Sequence, residues 1–226
     1  MSATATLAAS GAHQSPSIVR KAAIGAEAEI LADIYQEDNN LALWQRSLHC
    51  TLDAEVEAFL ASNKGFQRSI TVSTRNDFAG IRDLSPALGQ SALGEDIRQI
   101  TDMFCTLFEL ERAGLRLTVL DRAMCPRFHV DRVPCRLVTS YGGVGTEWLP
   151  HASVDRSRLG RAASGIPDSE TGLYSSEGCI SRMNSGDVAL LKGELWEGNE
   201  NAGLVHRSPT LEEGETRLVL TLDFSH

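Results

Sequence analysis

The sequence predicts an α+β domain in which a few early helices cover one face of a β-sheet built mostly from the second half of the chain. Three observations lead there. Apolar residues recur at helical spacing in two segments before residue 115. Beyond that point the chain breaks into short runs rich in Val, Leu and Thr, separated by Gly, Pro, Asn or Asp. The final run, "RLVLTLDF", places Leu218, Leu220, Leu222 and Phe224 on one face and Arg217, Val219, Thr221 and Asp223 on the other.

Taken in order, residues 1–22 are rich in Ala, Ser and Thr without periodicity, and are predicted to be a disordered tail ahead of a single domain at 23–226. Residues 24–48 fit helix or strand, except that "QEDNNLALWQRSL" reads as a turn followed by a strand. "TLDAEVEAFLASN" predicts a short helix, with Thr51 as N-cap and an apolar stripe at Val56, Phe59 and Leu60. "FQRSITVST" alternates as a strand. "GEDIRQITDMFCTLFELERAG" predicts the longest helix, carrying Ile97, Ile100, Phe104, Leu107 and Phe108 and ending at Gly114. "LRLTVLDRAM", "RFHVDRV", "CRLVTSY", "GTEWL", "GDVALLKG", "GLVHRS" and "TRLVLTLDF" then read as strands of a sandwich or barrel.

Composition narrows the function. With 226 residues, 42% of them hydrophobic, the chain can bury one real core. A formal net charge of −9 argues against a nucleic-acid partner, which needs a concentrated positive surface. No apolar run reaches membrane-span length and the N-terminus lacks signal-peptide character, so a cytoplasmic protein without a membrane partner is expected. The five cysteines are scattered and form no C-x-x-C pair, which points to reduced thiols.

The chemistry centres on "RFHVD". In a strand, His129 and Asp131 share a face, holding an imidazole and a carboxylate side by side. Alone this is weak evidence, since chance supplies an H-x-D in roughly a third of chains of such composition. Its company adds weight: His206 follows in "GLVHRSP", after a "GD" turn into a strand, and Arg217 lies on the last strand. Two imidazoles and a carboxylate can occupy one face of a metal and leave the others open, as in non-haem Fe(II) oxygenases. An inward Arg217 needs an anion, because an unpaired buried charge is costly.

This order of motifs, over about residues 115–224, resembles the Fe(II)- and 2-oxoglutarate-dependent dioxygenases, whose core is a double-stranded β-helix of the jelly-roll, cupin-like kind. The whole chain also looks like a bacterial family catalogued as a domain of unknown function, whose genes neighbour zinc-homeostasis genes. The first resemblance implies that His129, Asp131 and His206 hold iron and that Arg217 pairs with the distal carboxylate of 2-oxoglutarate. It implies hydroxylation of a small-molecule or peptide substrate. Many relatives carry a Ser or Thr two residues after the arginine, where this chain has Val219. Thr221, or Tyr141 or Thr139 from "RLVTSYGG", is expected to supply the hydroxyl, Tyr141 being preferred because it precedes a Gly-rich turn.

Thr139, Glu147, Trp148 and His151 are candidates for the substrate pocket, with the loops between Gly142 and Gly186 as its walls. Arg207 is expected to face solvent, opposite His206. Cys125 and Cys135 flank the H-x-D and offer thiols to a zinc ion, or pack inertly. Two alternatives stand beside the oxygenase: a zinc-binding accessory protein using the same three ligands without redox chemistry, and a cupin-like binding module with a vestigial site.

Overall fold

A computed structural model describes residues 19–160 and 165–225. Most of the predicted tail lies outside the described residues, but Lys21 and Ala22, at its end, already belong to the first strand. The architecture is α+β, a large sheet with few helices. Strand β1 (Lys21–Gly25) and a 3₁₀ segment lead into β2 (Asn39–Trp44), α1 (Cys50–Ser62) and β3 (Gln67–Ser73). Then come α2 (Gly80–Leu84), α3 (Ala92–Leu107), β4 (Arg112–Leu120) and β5 (Cys135–Gly142). The chain ends with β6 (Glu147–Leu149), β7 (Ser181–Arg182), β8 (Val188–Lys192), β9 (Val205–Arg207) and β10 (Arg217–Phe224). Among the described residues no helix is long and apolar enough to cross a membrane.

Seven strands form one sheet in the order β1-β2-β8-β5-β10-β4-β3, and three form a second in the order β7-β6-β9. An isolated antiparallel bridge between His129 and His206 extends the small sheet past β9. From β4 onward the chain therefore passes repeatedly between sheets: β4, β5, β8 and β10 lie in the large one, and the 129 bridge, β6, β7 and β9 in the small one.

Period-two alternation on β10 separates two cores, as the sequence predicts. Leu218, Leu220 and Leu222 pack with Val56 and Phe59 of α1 and Ile97, Ile100 and Phe104 of α3. Val219 faces the other way, into a smaller cluster where Leu43, Val138 and Leu191 of the large sheet meet Trp148, Met183 and Leu204 from the side of the small one.

Three local expectations are corrected. The N-cap of α1 is His49, whose Nδ1 accepts from the Thr51 amide at 3.3 Å, not Thr51. Helix α3 stops at Leu107, and Gly114 lies inside β4. The chain turns through a left-handed Glu109 (φ 52°), after which Ala113, Leu115, Leu117 and Val119 are buried at strand spacing. "RFHVDRV" is no strand but a single bridge; Pro126 and Pro134 bracket it and lack the amides a ladder requires.

Candidate metal centre

His129 and His206 face each other across the bridge and exchange both backbone hydrogen bonds, each 3.0 Å. Side chains directly opposite in such a pair lie on one face, and the two imidazole centroids are 4.6 Å apart. Asp131 comes back to the same point. Its Oδ1 is 3.7 Å from His129 Nε2, and its Oδ2 is 3.5 Å from His206 Nε2. One ligand atom from each of the three residues lies within 4.8 Å of the others.

Hydrogen bonds orient every donor. His129 Nδ1 lies 2.9 Å from the Arg127 carbonyl and His206 Nδ1 3.1 Å from the Leu204 carbonyl. A carbonyl only accepts, so each Nδ1 carries a proton, and Nε2, on the side of Asp131, is the nitrogen left to ligate. Burial of His206 pushes its pKa below the ordinary value, against the opposing pull of Asp131, which favours the neutral, ligating imidazole. Arg136 donates to Asp131 Oδ2 at 2.9 Å and grips Asp223 through two bonds of 2.7 and 2.9 Å. Two imidazoles and one carboxylate suit a first-row divalent metal, and the fixed outer partners are those such a site requires.

The cavity beside this trio is lined by His129, His206, Arg217, Thr118, Val219 and Thr221, with Arg116, Arg136 and Cys125 among its other walls. Arg217 is 1% exposed. Its Nη2 donates to Ser140 Oγ at 2.7 Å and Thr146 Oγ1 at 3.3 Å, and its Nη1 to Ser208 Oγ at 3.2 Å. Its Nε has no partner among the described residues. Burial lowers its pKa to about 10, with Glu147 alone opposing. This is a desolvated cation held by neutral hydroxyls and open to an anion. Gly143 makes its position possible: at φ 79° a Cβ there would stand 2.4 Å from the Thr216 carbonyl oxygen and 2.9 Å from Arg217 Cβ.

Of the residues expected to bind cosubstrate or substrate beside Arg217, only Thr221 lines this cavity. Tyr141 and Thr139 do not, because strand alternation turns them to the helix side. Tyr141 packs in the large core with Cys135 and Leu137, and Thr139 pairs in register with Leu220 of that face. The alternate residue, Ser140, reaches Arg217 instead. Trp148 is core, opposite His206 in the β6–β9 ladder. Glu147 points to the other face of that ladder and binds Arg182 and Arg207. His151 does not reach the cavity; its Nδ1 is 3.4 Å from Arg156 Nη2. Among the described residues the loops between Gly142 and Gly186 contribute only Thr146 to the cavity, although Arg156, Leu159 and Gly160 line a neighbouring one that shares His129.

Arg207 is not solvated. It is paired with Glu147 at 2.7 Å and stacked 4.3 Å over the Phe128 ring. Cys135 is sealed in the helix-side core, its thiol pushed well above the ordinary value by burial, and cannot join the histidines. Sequence reasoning missed Arg136, Ser140 and Thr118. Their one local signal is a polar side chain at alternate positions of otherwise apolar strands, which names a face but no partner.

A family model described as "Protein of unknown function (DUF1826)" matches residues 25–223. No curated protein matches the sequence. Among solved structures, the chain is similar to the 2-oxoglutarate complex of dioxygenase for auxin oxidation 1 from Arabidopsis thaliana, at 10% identity and a TM-score of 0.47, covering 91% of this chain and 92% of that one. It is also similar to the dioxygenase for auxin oxidation in rice, at 12% identity and a TM-score of 0.45, covering 82% and 73%. A third is the non-heme alpha-ketoglutarate-dependent epimerase SnoN from nogalamycin biosynthesis, at 15% identity and a TM-score of 0.44, covering 86% and 81%.

Proposed function

The chain belongs to the DUF1826 family of proteins of unknown function, and from the geometry of its site we propose that it is an Fe(II)- and 2-oxoglutarate-dependent oxygenase of a small-molecule or peptide substrate. One observation carries this reading. His129, Asp131 and His206 converge within 4.8 Å at the edge of a cavity whose other wall holds Arg217, a buried cation bonded to hydroxyls in a cavity lined by no acid among the described residues. A metal store has no use for such an arginine; a site that must hold a dicarboxylate beside its metal does. The interleaved strand order, with β4-β10-β5-β8 facing the 129 bridge, β9, β6 and β7, supports a double-stranded β-helix.

In this reading His129 and His206 offer Nε2, and Asp131 offers the oxygen that Arg136 leaves free. Iron held there with 2-oxoglutarate would supply the oxidative chemistry, oxygen activation coupled to decarboxylation of the 2-oxo acid. Arg217 receives the distal carboxylate and sets the cosubstrate's direction in the cavity. Val138, Leu191 and Val219 give that cavity apolar walls, which limit water and strengthen each charge interaction inside it.

The test is an anaerobic titration. Protein loaded with Fe(II) is expected to develop a visible charge-transfer band on addition of 2-oxoglutarate. No band, together with tightly bound stoichiometric zinc after native purification, would overturn the oxygenase reading in favour of a zinc-binding accessory protein.

A further inference from the structure

A second cleft meets the Arg217 cavity at the metal centre. It offers about 600 Å³, and among the described residues His129 alone lines both. That size suits a small organic ligand. The His129 side chain is 35% exposed, against 9% for His206, so His129 is the ligand that a molecule in this cleft touches.

Two opposite charges line the cleft without a hydrogen bond between them. Arg156 Nη1 is 3.9 Å from Glu194 Oε1, beyond hydrogen-bond reach. Each group is anchored through its other atoms. Arg156 Nη2 donates to the Gly203 carbonyl at 2.6 Å, and Glu194 Oε2 accepts from the Asn201 amide at 2.7 Å. The Glu194 amide donates to the Asp131 carbonyl at 3.0 Å, which ties this wall to the metal-binding loop. Arg156 Nε has no partner among the described residues. His151, 3.4 Å from Nη2, brings no negative charge, and burial and the charge of Arg156 both push its pKa down. Burial also lowers the pKa of Arg156, opposed by Glu194 and reinforced by Arg20. The other cation of the cleft, Arg127, is already taken by the Ile166 carbonyl and by Asp168 at 3.4 Å. A guanidinium donor and a carboxylate acceptor are thus left side by side.

An anion alone entering here meets Glu194, and a cation alone meets Arg156. A molecule with a carboxylate and an ammonium on neighbouring atoms satisfies both. Val130 and Leu159, partly buried, give the cleft an apolar wall for the rest of it. We propose that this cleft binds the substrate and that the substrate is a free α-amino acid with an apolar side chain, its carboxylate on Arg156 and its ammonium on Glu194. This rests on the oxygenase reading and narrows it, since a residue within a peptide carries neither charge.

The experiment is calorimetry on the anaerobic Fe(II) protein with 2-oxoglutarate present, titrated in turn with L-valine, L-leucine, L-isoleucine, L-methionine and L-phenylalanine. At least one is expected to bind with a Kd below about 1 mM. The analogue of that amino acid without the ammonium, and the one without the carboxylate, should each bind at least about tenfold more weakly, the loss of a hydrogen bond to a charged group. Glu194→Gln keeps the shape and the bond to Asn201. It should weaken the amino acid roughly tenfold or more and strengthen the ammonium-free acid, a reversal that a damaged fold would not give. Arg156→Gln should weaken the amino acid and the acid alike. Both variants should develop the 2-oxoglutarate charge-transfer band as the parent does. If the band forms but none of the five binds at about 10 mM, or if Glu194→Gln weakens amino acid and acid equally, the substrate assignment fails while the oxygenase reading stands. If the parent holds Fe(II) and forms no band, the oxygenase reading falls and takes the substrate assignment with it.

Discussion

Asp131 and Arg136, five positions apart, are joined by a 2.9 Å ion pair whose arginine is itself locked to Asp223 at the end of β10. The pair occupies Asp131 Oδ2 and leaves Oδ1 turned towards His129. Arg136 thereby ties a metal-facing carboxylate on a loop to the rigid large sheet, as outer partners of metal ligands commonly do.

Arg136→Leu should therefore weaken Fe(II) or Co(II) binding by roughly 10–100-fold without removing a ligand. Calorimetric titration of the metal-free protein measures this. Unchanged affinity would mean that Asp131 is positioned without the arginine.

His129→Ala, Asp131→Ala and His206→Ala should each abolish tight metal binding, since two donors rarely hold a divalent ion against water. Circular dichroism should show the fold retained in the first two, because neither side chain is fully buried. Full iron affinity in any of the three would remove that residue from the centre.

Arg217→Met should separate cosubstrate from metal. Metal affinity is expected to stay within about threefold, while 2-oxoglutarate weakens at least about 100-fold with the loss of a charge-assisted, two-point contact. Equal loss of both ligands would instead point to a collapsed cavity.

Lys192 gives a pH signature far from the site. It is 2% exposed, donates to the Gln36 carbonyl at 2.9 Å and lies 4.7 Å from the Trp196 ring, and burial lowers its pKa to about 8. Between that value and the ordinary 10.5 the unfolded chain binds the proton that the folded one releases, so this group makes stability rise with pH across that window. Urea unfolding at pH 7 and pH 10 should show a gain of up to about 3 kcal/mol from this source, absent in Lys192→Met. A parent and variant with the same slope would show the lysine to be unperturbed.

Much of the architecture was legible because it is local. The stripe of Ile97, Ile100 and Phe104 and the alternation of Leu218, Leu220 and Leu222 are periodicities within one segment, and the structure buries all six as read. Where local signals compete, reading falters. The 109–114 region continues a helical pattern and also begins a strand, and the left-handed Glu109 decides between them. The site was legible in its donors and not in its support. His129, Asp131, His206 and Arg217 stand out by chemistry alone, but the exchange of Tyr141 for Ser140 is a matter of which face a strand presents.

By itself, then, the sequence determined which side chains can ligate, that an arginine faces inward from the last strand, and that helices cover the opposite face. Only the tertiary structure decided that His129 pairs with His206, that Arg136 holds Asp131, and that Thr118 stands across from Val219. The reason is physical: side-chain direction follows from a backbone period that neighbouring residues reveal, whereas strand register comes from contacts between distant segments, and a slip of one residue would turn each of these side chains to the other face.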